Sequence, residues 1–239
     1  MAASLGAGSV VSNLLSHGPA LAAVRYESYG RGPALFLGSP IGASSTRPGG
    51  DPLAVLRQGY LERLTDRYQV IAMDYPPAGA DAVAAVASFD PDRVCADILA
   101  VADAAGIDRF AWYGYSWGGV VGLQLAARTN RLTALICGGW PPIGASYRDM
   151  AAVSQRLAEL AKVADAQIMA TFYRALEQWN DEETVSRFTC PRMAVVGRDD
   201  SITTAGHTVR IGPVVAVFMR PDVVVPLMRD FLDPILLRA

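Results

Sequence analysis

Residues 109–119 read Arg-Phe-Ala-Trp-Tyr-Gly-Tyr-Ser-Trp-Gly-Gly, and this stretch decides the fold. An apolar run of strand length, residues 109–114, is followed closely by a helical pattern over 120–128. Ser116 lies at the junction, between Gly114 and Gly118. A sharp strand-to-helix turn holds a serine hydroxyl clear of the sheet, and flanking glycines remove side chains that would clash across it. We therefore predict a nucleophile elbow at Ser116, the alternative being a serine that caps an ordinary helix.

Short β-like runs alternate with helical patterns on both sides of this stretch, which favours a mostly parallel sheet flanked by helices. The predicted strands are residues 21–30, 34–38, 68–74, 109–114, 132–137, 191–197 and 214–219. Aspartate caps a helix and proline suits its first position, so helices are expected to begin at Asp51-Pro52 and Asp90-Pro91. Asp222 is expected to cap a closing helix that runs to about Leu232, with Pro226 in its first turn.

Residues 146–188 show a helical pattern throughout and interrupt the strands. We predict a helical lid there, inserted into an α/β core formed by residues 1–145 and 189–239. An apolar stripe in the insertion comprises Ile168, Phe172, Ala175 and Trp179. The stripe either docks the lid on the core or forms a wall of the pocket beneath it, and the two roles are compatible.

The composition of the chain indicates which kinds of binding partner to expect. The chain has 239 residues, 51% of them hydrophobic, and a net charge of −2 with no basic cluster. We therefore expect a small-molecule substrate and neither nucleic acid nor a membrane as partner. The three cysteines are far apart and form no metal-ligand spacing, which predicts no metal, no cofactor and a cytoplasmic location. The composition leaves the oligomeric state open.

The sequence resembles the α/β-hydrolase superfamily over nearly its whole length. The matching parts are ALFLG at 34–38, VIAMDYP at 70–76, the elbow GYSWGG at 114–119, the helical insertion, AVVGRDD at 194–200 and the closing helix. The resemblance implies a catalytic triad in the chain order serine, acid, histidine. It places the acid at Asp200, with Asp199 as its neighbour and reserve. The alternative is that both aspartates are turn residues after a strand.

The histidine departs from the family pattern. The family places it after the last strand, but residues 212–222 contain none, and the whole chain has only His17 and His207. We assign His207 as the candidate general base, because His17 precedes the predicted strands. Asp200 would orient its imidazole.

The oxyanion hole departs as well. The backbone N–H of Trp117, at the start of a helix, is one expected donor. The second donor should come from residues 38–42, which read Gly-Ser-Pro-Ile-Gly. Pro40 has no N–H, so we assign this role to Ile41. Tyr115, Trp117, Trp140 and Pro40 are the candidate walls of the substrate pocket, although each of the three aromatic residues could equally be core packing.

Three functions fit these residues. The first is hydrolysis of a small, largely apolar ester, lactone or thioester through Ser116. The second is a re-purposed, non-hydrolytic member of the fold, such as a cyclase, lyase or epimerase. The third is a catalytically silent ligand-binding protein. The elbow favours the first function, whereas the missing histidine and Pro40 favour the other two.

Overall fold

The computed structural model describes residues 13–15, 24–43, 45, 50–75, 89–139, 146–161, 164–197, 208–211 and 217–237. Its strands are β1 (Asn13–Leu15), β2 (Val24–Tyr29), β3 (Ala34–Leu37), β4 (Gln69–Met73), β5 (Phe110–Tyr115), β6 (Leu132–Gly138), β7 (Arg192–Gly197) and β8 (Thr208–Ile211). Its α-helices are α1 (Ala54–Leu64), α2 (Pro91–Ala104), α3 (Trp117–Arg128), α4 (Tyr147–Ala161), α5 (Ala164–Ala175), α6 (Asp181–Ser186) and α7 (Pro221–Leu236). Within these ranges, no helix is both long and apolar enough to cross a membrane.

The strands form one eight-stranded sheet in the order β1-β2-β4-β3-β5-β6-β7-β8. The β1–β2 and β2–β4 pairs are antiparallel. All pairs from β4 to β8 are parallel. The chain leaves β3 towards β4 on one side and leaves β5 towards β6 on the other, so these two neighbouring strands form a topological switch point. The predicted mostly parallel α/β sheet is confirmed, and its topology predicts a ligand site at the carboxyl ends of β3 and β5.

Two buried clusters cover the two faces of the sheet, and the side chains of β5 alternate between them. Phe110 and Trp112 belong to the first cluster, which also holds residues of α2, α3 and the helices between β6 and β7. Ala111, Tyr113 and Tyr115 belong to the second cluster, which also holds residues of α1 and α7. Burial on both faces explains why β5 reads as a continuous apolar run.

The two predicted helix starts had different outcomes. Asp90 caps α2 as predicted, because its carboxylate accepts a hydrogen bond from the Arg93 N–H at 2.8 Å and Pro91 is the first helical residue. The predicted start at Asp51-Pro52 is wrong by a few residues, since α1 begins at Ala54. The Asp51 carboxylate instead accepts from the Leu53 N–H at 2.9 Å and pairs with Arg57 at 2.7 Å.

The carboxyl-terminal elements differ from the prediction in two respects. Among the described residues, the last strand is β8, and residues 217–219 of the predicted strand 214–219 form a turn of 3-10 helix. Residues 212–216 lie outside the described residues. The closing helix begins at Pro221 and extends to Leu236, so Asp222 is not its cap and Pro226 lies beyond its first turn. Asp222 pairs with the Arg220 guanidinium at 2.7 Å instead.

The predicted helical insertion contains α4, α5 and α6. Its buried stripe runs through Ile168, Phe172 and Leu176, which follow one another at four-residue steps and all belong to the first cluster. Ala175 is exposed, so its predicted place in the stripe is wrong. The stripe docks the insertion on the core, while the roles of lid and of separate structural unit for 146–188 stay predictions.

Candidate active site

Ser116 stands on the predicted strand-to-helix turn. β5 ends at Tyr115, α3 begins at Trp117, and the serine between them is exposed although both neighbours are buried. Among the described residues, Ser116 is the only non-glycine with a positive φ, at 52° with ψ −119°. Such a backbone costs about 1–3 kcal/mol and persists where the surrounding structure enforces it. The Ser116 N–H donates to the Gly138 carbonyl at 2.7 Å, which fixes the turn against β6.

The two glycines of the motif are required by close backbone contacts. A β-carbon on Gly114 would lie 2.1 Å from the Gly118 carbonyl oxygen. One on Gly118 would lie 2.2 Å from the Ser39 carbonyl oxygen. Side chains at these positions would push the turn open and separate it from the chain after β3. The sharp strand-to-helix turn predicted at Ser116 is thus present, while its role as a nucleophile elbow stays a prediction.

The turn after β3 lies directly against the elbow. The Tyr115 N–H donates to the Ser39 carbonyl at 3.1 Å, and the Gly38 N–H donates to the Tyr113 carbonyl at 2.7 Å. Pro40 follows a cis peptide bond and is half-buried, whereas Ile41 is 1% exposed. Because Pro40 has no N–H, Ile41 supplies the first backbone donor after Ser39 in this turn. The arrangement is compatible with an oxyanion hole formed by the Ile41 and Trp117 amides, which stays a prediction.

The Trp117 side chain belongs to a group of four buried rings, here called the aromatic box. Its ring centroid lies 5.2 Å from that of Phe172, 5.9 Å from Phe89 and 6.3 Å from Tyr75. Phe172 belongs to α5, so the box joins the elbow to the helical insertion. The indole Nε1 of Trp117 is buried without a hydrogen-bond partner. A buried donor without a partner costs about 1–3 kcal/mol unless a ligand supplies the acceptor.

Sequence reasoning named Trp117 and Phe172 as possible pocket walls but missed Tyr75 and Phe89, the other two rings of the aromatic box. Tyr75 follows the carboxyl end of a parallel strand, the edge at which sites form in such sheets, and this was the available signal. Tyr115, a predicted pocket wall, lies instead in the second cluster, with its ring centroid 4.6 Å from that of Phe218. Its role as a pocket wall stays a prediction. Trp140, another aromatic candidate, lies outside the described residues.

The candidate acid and base also lie outside the described residues. Asp200 follows the carboxyl end of β7 in sequence, where the resemblance places the acid. His207 precedes the amino end of β8, which runs parallel to β7 with Thr208 opposite Ala194. Sites in parallel sheets form beyond the carboxyl ends of strands. The register of β8 therefore disfavours His207 as the base, and its role stays a prediction.

The cysteines offer no competing nucleophile. Burial raises the pKa of the Cys95 and Cys137 thiols to about 12, and burial also raises the pKa of Cys190. A thiol with a raised pKa stays protonated and inert at neutral pH. Within the described ranges, no group of three or more histidine, cysteine, aspartate or glutamate residues could hold a metal ion.

The switch point and the serine turn define a class of protein, an α/β sheet with a strained serine turn at its carboxyl edge. The chain belongs to the alpha/beta hydrolase fold family, whose family model matches residues 57–191.

Several proteins that are named as hydrolases are similar to this chain. A protein of Klebsiella pneumoniae (strain 342), named provisionally as the carbamate hydrolase RutD, is 32% identical over 127 residues, which are 52% of this chain and 47% of the relative. The chain thus spans about half the length of the curated relatives that it matches. A hydrolase from Pseudomonas aeruginosa PA01 has a similar structure, with 19% identity, a TM-score of 0.68 and coverage of 95% of this chain and 99% of that one.

The N-acyl homoserine lactonase AidH, solved with N-hexanoyl homoserine lactone, is 18% identical with a TM-score of 0.66. The alignment covers 94% of this chain and 97% of AidH. At such identities the structural matches show the fold alone.

Proposed function

We propose that this protein is a serine hydrolase that cleaves a small, largely apolar ester, lactone or thioester, with Ser116 as its nucleophile. The observation that carries the proposal is the exposed Ser116 at φ 52°, held between a buried strand and a buried helix. An exposed hydroxyl on a strained and tightly anchored turn is the geometry that nucleophilic catalysis requires.

The reaction has two steps. The Ser116 Oγ attacks the substrate carbonyl carbon while a general base takes the hydroxyl proton, and the C–O or C–S bond breaks as the leaving group receives that proton. Water then attacks the acyl-enzyme with help from the same base and restores the serine. The amides of Trp117 and Ile41 would hold the negative oxygen formed in each step. His207, oriented by Asp200, is the base that the sequence offers, but because it precedes the amino end of β8, its role needs a test separate from that of Ser116.

The substrate class follows from the surroundings of the elbow. The aromatic box beside Ser116 is apolar apart from the tyrosine hydroxyl and the Trp117 N–H, which suits an apolar acyl or alcohol group. The similar proteins are named for a carbamate and for a lactone. Both compounds contain a carbonyl carbon bonded to a heteroatom, the group that an activated serine attacks.

The partners and the location are also proposals. The net charge of −2 and the absence of a basic cluster in the sequence favour a small molecule over nucleic acid or a membrane surface. The three cysteines are free thiols, which is typical of the reducing cytoplasm.

Hydrolysis of p-nitrophenyl acetate tests the nucleophile. We expect turnover in the wild type and its loss in Ser116→Ala. Ser186→Ala is the matched control, because Ser186 is exposed, and its Oγ bonds only within α6, to the Glu183 carbonyl at 2.6 Å. Equal turnover in the wild type and Ser116→Ala would overturn the proposal.

The chain's two histidines permit a matched test of the base. General-base help is worth about 10²- to 10⁴-fold in rate. His207→Gln should lose that factor, whereas His17→Gln should retain wild-type turnover. If His207→Gln keeps full activity while Ser116→Ala has none, the nucleophile assignment stands and the assignment of His207 is wrong.

A second candidate is a non-hydrolytic reaction in the same pocket. It is favoured by the absence of histidine from residues 212–222, where the family has its base. A protein that folds and binds ligands but shows no Ser116-dependent turnover would support this candidate instead.

A further inference from the structure

The turn after β3 carries the proposed oxyanion donor Ile41. Buried charged side chains that do not belong to the Ser116 turn hold it in place. On its inner side, the Ser39 carbonyl accepts from the Tyr115 N–H, and the Gly42 carbonyl accepts from the Met73 N–H at 2.5 Å. These backbone bonds connect the turn to β5 and β4. Its outer part, Ala43 and Ser45, is bound by charged side chains from β2 and α1.

Glu27, on β2, is the first of these side chains and is 1% exposed. One carboxylate oxygen accepts from the Ser45 N–H at 2.7 Å and from the Tyr29 hydroxyl at 2.6 Å, and the other accepts from the Ser45 hydroxyl. Burial alone would raise the pKa of Glu27, but the hydrogen bonds from Ser45 and Tyr29 and the charge of Arg57 outweigh it and lower the pKa. Glu27 is therefore an anion at neutral pH with Ser45 as a principal ligand.

Arg57, on α1, is the second side chain and is 6% exposed. One of its guanidinium nitrogens donates to the Ala43 carbonyl and lies 2.7 Å from an Asp51 carboxylate oxygen. Both members of this ion pair are buried, with side-chain exposures of 7% and 6%. The bond to Ala43 thus joins α1 to the turn two residues after Ile41.

We infer that Glu27 and Arg57 are positioning residues, which fix the turn after β3 so that the Ile41 amide faces the oxyanion formed at Ser116. The inference rests on the proposed function. Stability alone does not require charges here, because well-packed apolar residues often replace a buried ion pair without loss of stability. The two charged side chains instead bind successive parts of one turn and so fix the orientation of its backbone. An oxyanion hole requires backbone amides that are held in one orientation.

Glu27→Gln tests the inference, since glutamine keeps the size of the side chain but loses the charge and one acceptor atom. A displacement of about 1 Å at an active site can cost about 100-fold in rate. We expect kcat for p-nitrophenyl acetate to fall by about 10- to 100-fold with KM unchanged. Amide hydrogen exchange should become faster in residues 39–45 and stay unchanged in residues 110–120.

Two further variants complete the design. Glu62→Gln is the matched control, because Glu62 is exposed on α1 and accepts only from the neighbouring Gln58 side chain. Ser45→Ala removes one donor to Glu27 from an exposed residue, so it tests the same contact if Glu27→Gln does not fold. We expect Ser45→Ala to lower kcat in the same direction and Glu62→Gln to change neither constant.

The outcomes separate this inference from the proposed function. An active wild type with unchanged kcat in Glu27→Gln and Ser45→Ala would overturn the inference and leave the function standing. A fall in kcat without faster exchange in residues 39–45 would also overturn it. A wild type without Ser116-dependent turnover would overturn both.

Discussion

The two residues that flank Ser116 lie on opposite faces of the sheet, and the aromatic side chains near them differ in whether their polar atoms have hydrogen-bond partners. On the side of Tyr115, the Tyr60 hydroxyl donates to the Phe218 carbonyl at 2.9 Å and lies 3.4 Å from the Tyr113 hydroxyl. On the side of Trp117, the indole N–H is buried without a partner inside the aromatic box. The tyrosine hydroxyls of the first arrangement have partners within the protein, whereas the second arrangement has a donor available for a ligand.

This difference indicates which face meets the substrate. Buried polar groups in a finished core are hydrogen-bonded, and exceptions concentrate at functional sites. The face of Trp117 also carries the helical insertion, through Phe172. We therefore expect mutations of Tyr60 and Phe218 to change stability alone, and mutations in the aromatic box to change kinetics as well.

The largest stability effect should come from Phe172→Ala. Phe172 is 0% exposed, and removing such a ring leaves a cavity that costs about 3–5 kcal/mol. Phe218→Ala, a half-buried residue on the other face, should cost less. Chemical denaturation gives both free energies of unfolding. A greater loss from Phe218→Ala would reverse the comparison.

Tyr60→Phe should have an intermediate effect on stability and none on activity. It removes the hydrogen bond to the half-buried Phe218 carbonyl, which costs about 0.5–1.5 kcal/mol. Tyr113→Phe is the control and should cost less, because its hydroxyl is involved only in the longer 3.4 Å contact. Denaturation and p-nitrophenyl acetate turnover measure the two expectations. A loss of turnover in Tyr60→Phe at unchanged KM would show that Tyr60 contributes to catalysis as well.

Trp117→Phe should have the smallest effect on stability. It removes a donor that has no partner, which offsets the loss of ring area. If the N–H binds the substrate, kcat/KM should fall by up to about tenfold, the equivalent of one hydrogen bond. A large loss of stability with unchanged kcat/KM would show instead that Trp117 is as purely structural as Tyr60.

The sequence predicted the elements that depend on local chemistry. Asp90 and Pro91 start α2 because capping and proline geometry involve only neighbouring residues. The elbow was predictable because Gly114 and Gly118 mark close contacts in the sequence itself. The phase of α5 was predicted only in part, since Leu176 and Ala175 both suit a helical stripe and the packing of the first cluster selects Leu176.

The rest depends on contacts between distant residues. Glu27 meets Ser45 only because β2 pairs with β4 and brings the turn after β3 beside it. Residues 208–211 were not predicted as a strand, because only their pairing with β7 makes them one. Tyr115 packs on Phe218, far along the chain, so no local pattern indicates its face.

Covalent labelling with a fluorophosphonate, followed by peptide mapping, tests the central claim most directly. The account predicts one adduct per chain, located on Ser116, and no adduct in Ser116→Ala with an unchanged melting temperature. Absence of labelling in the folded wild type, or an adduct on another serine, would contradict it.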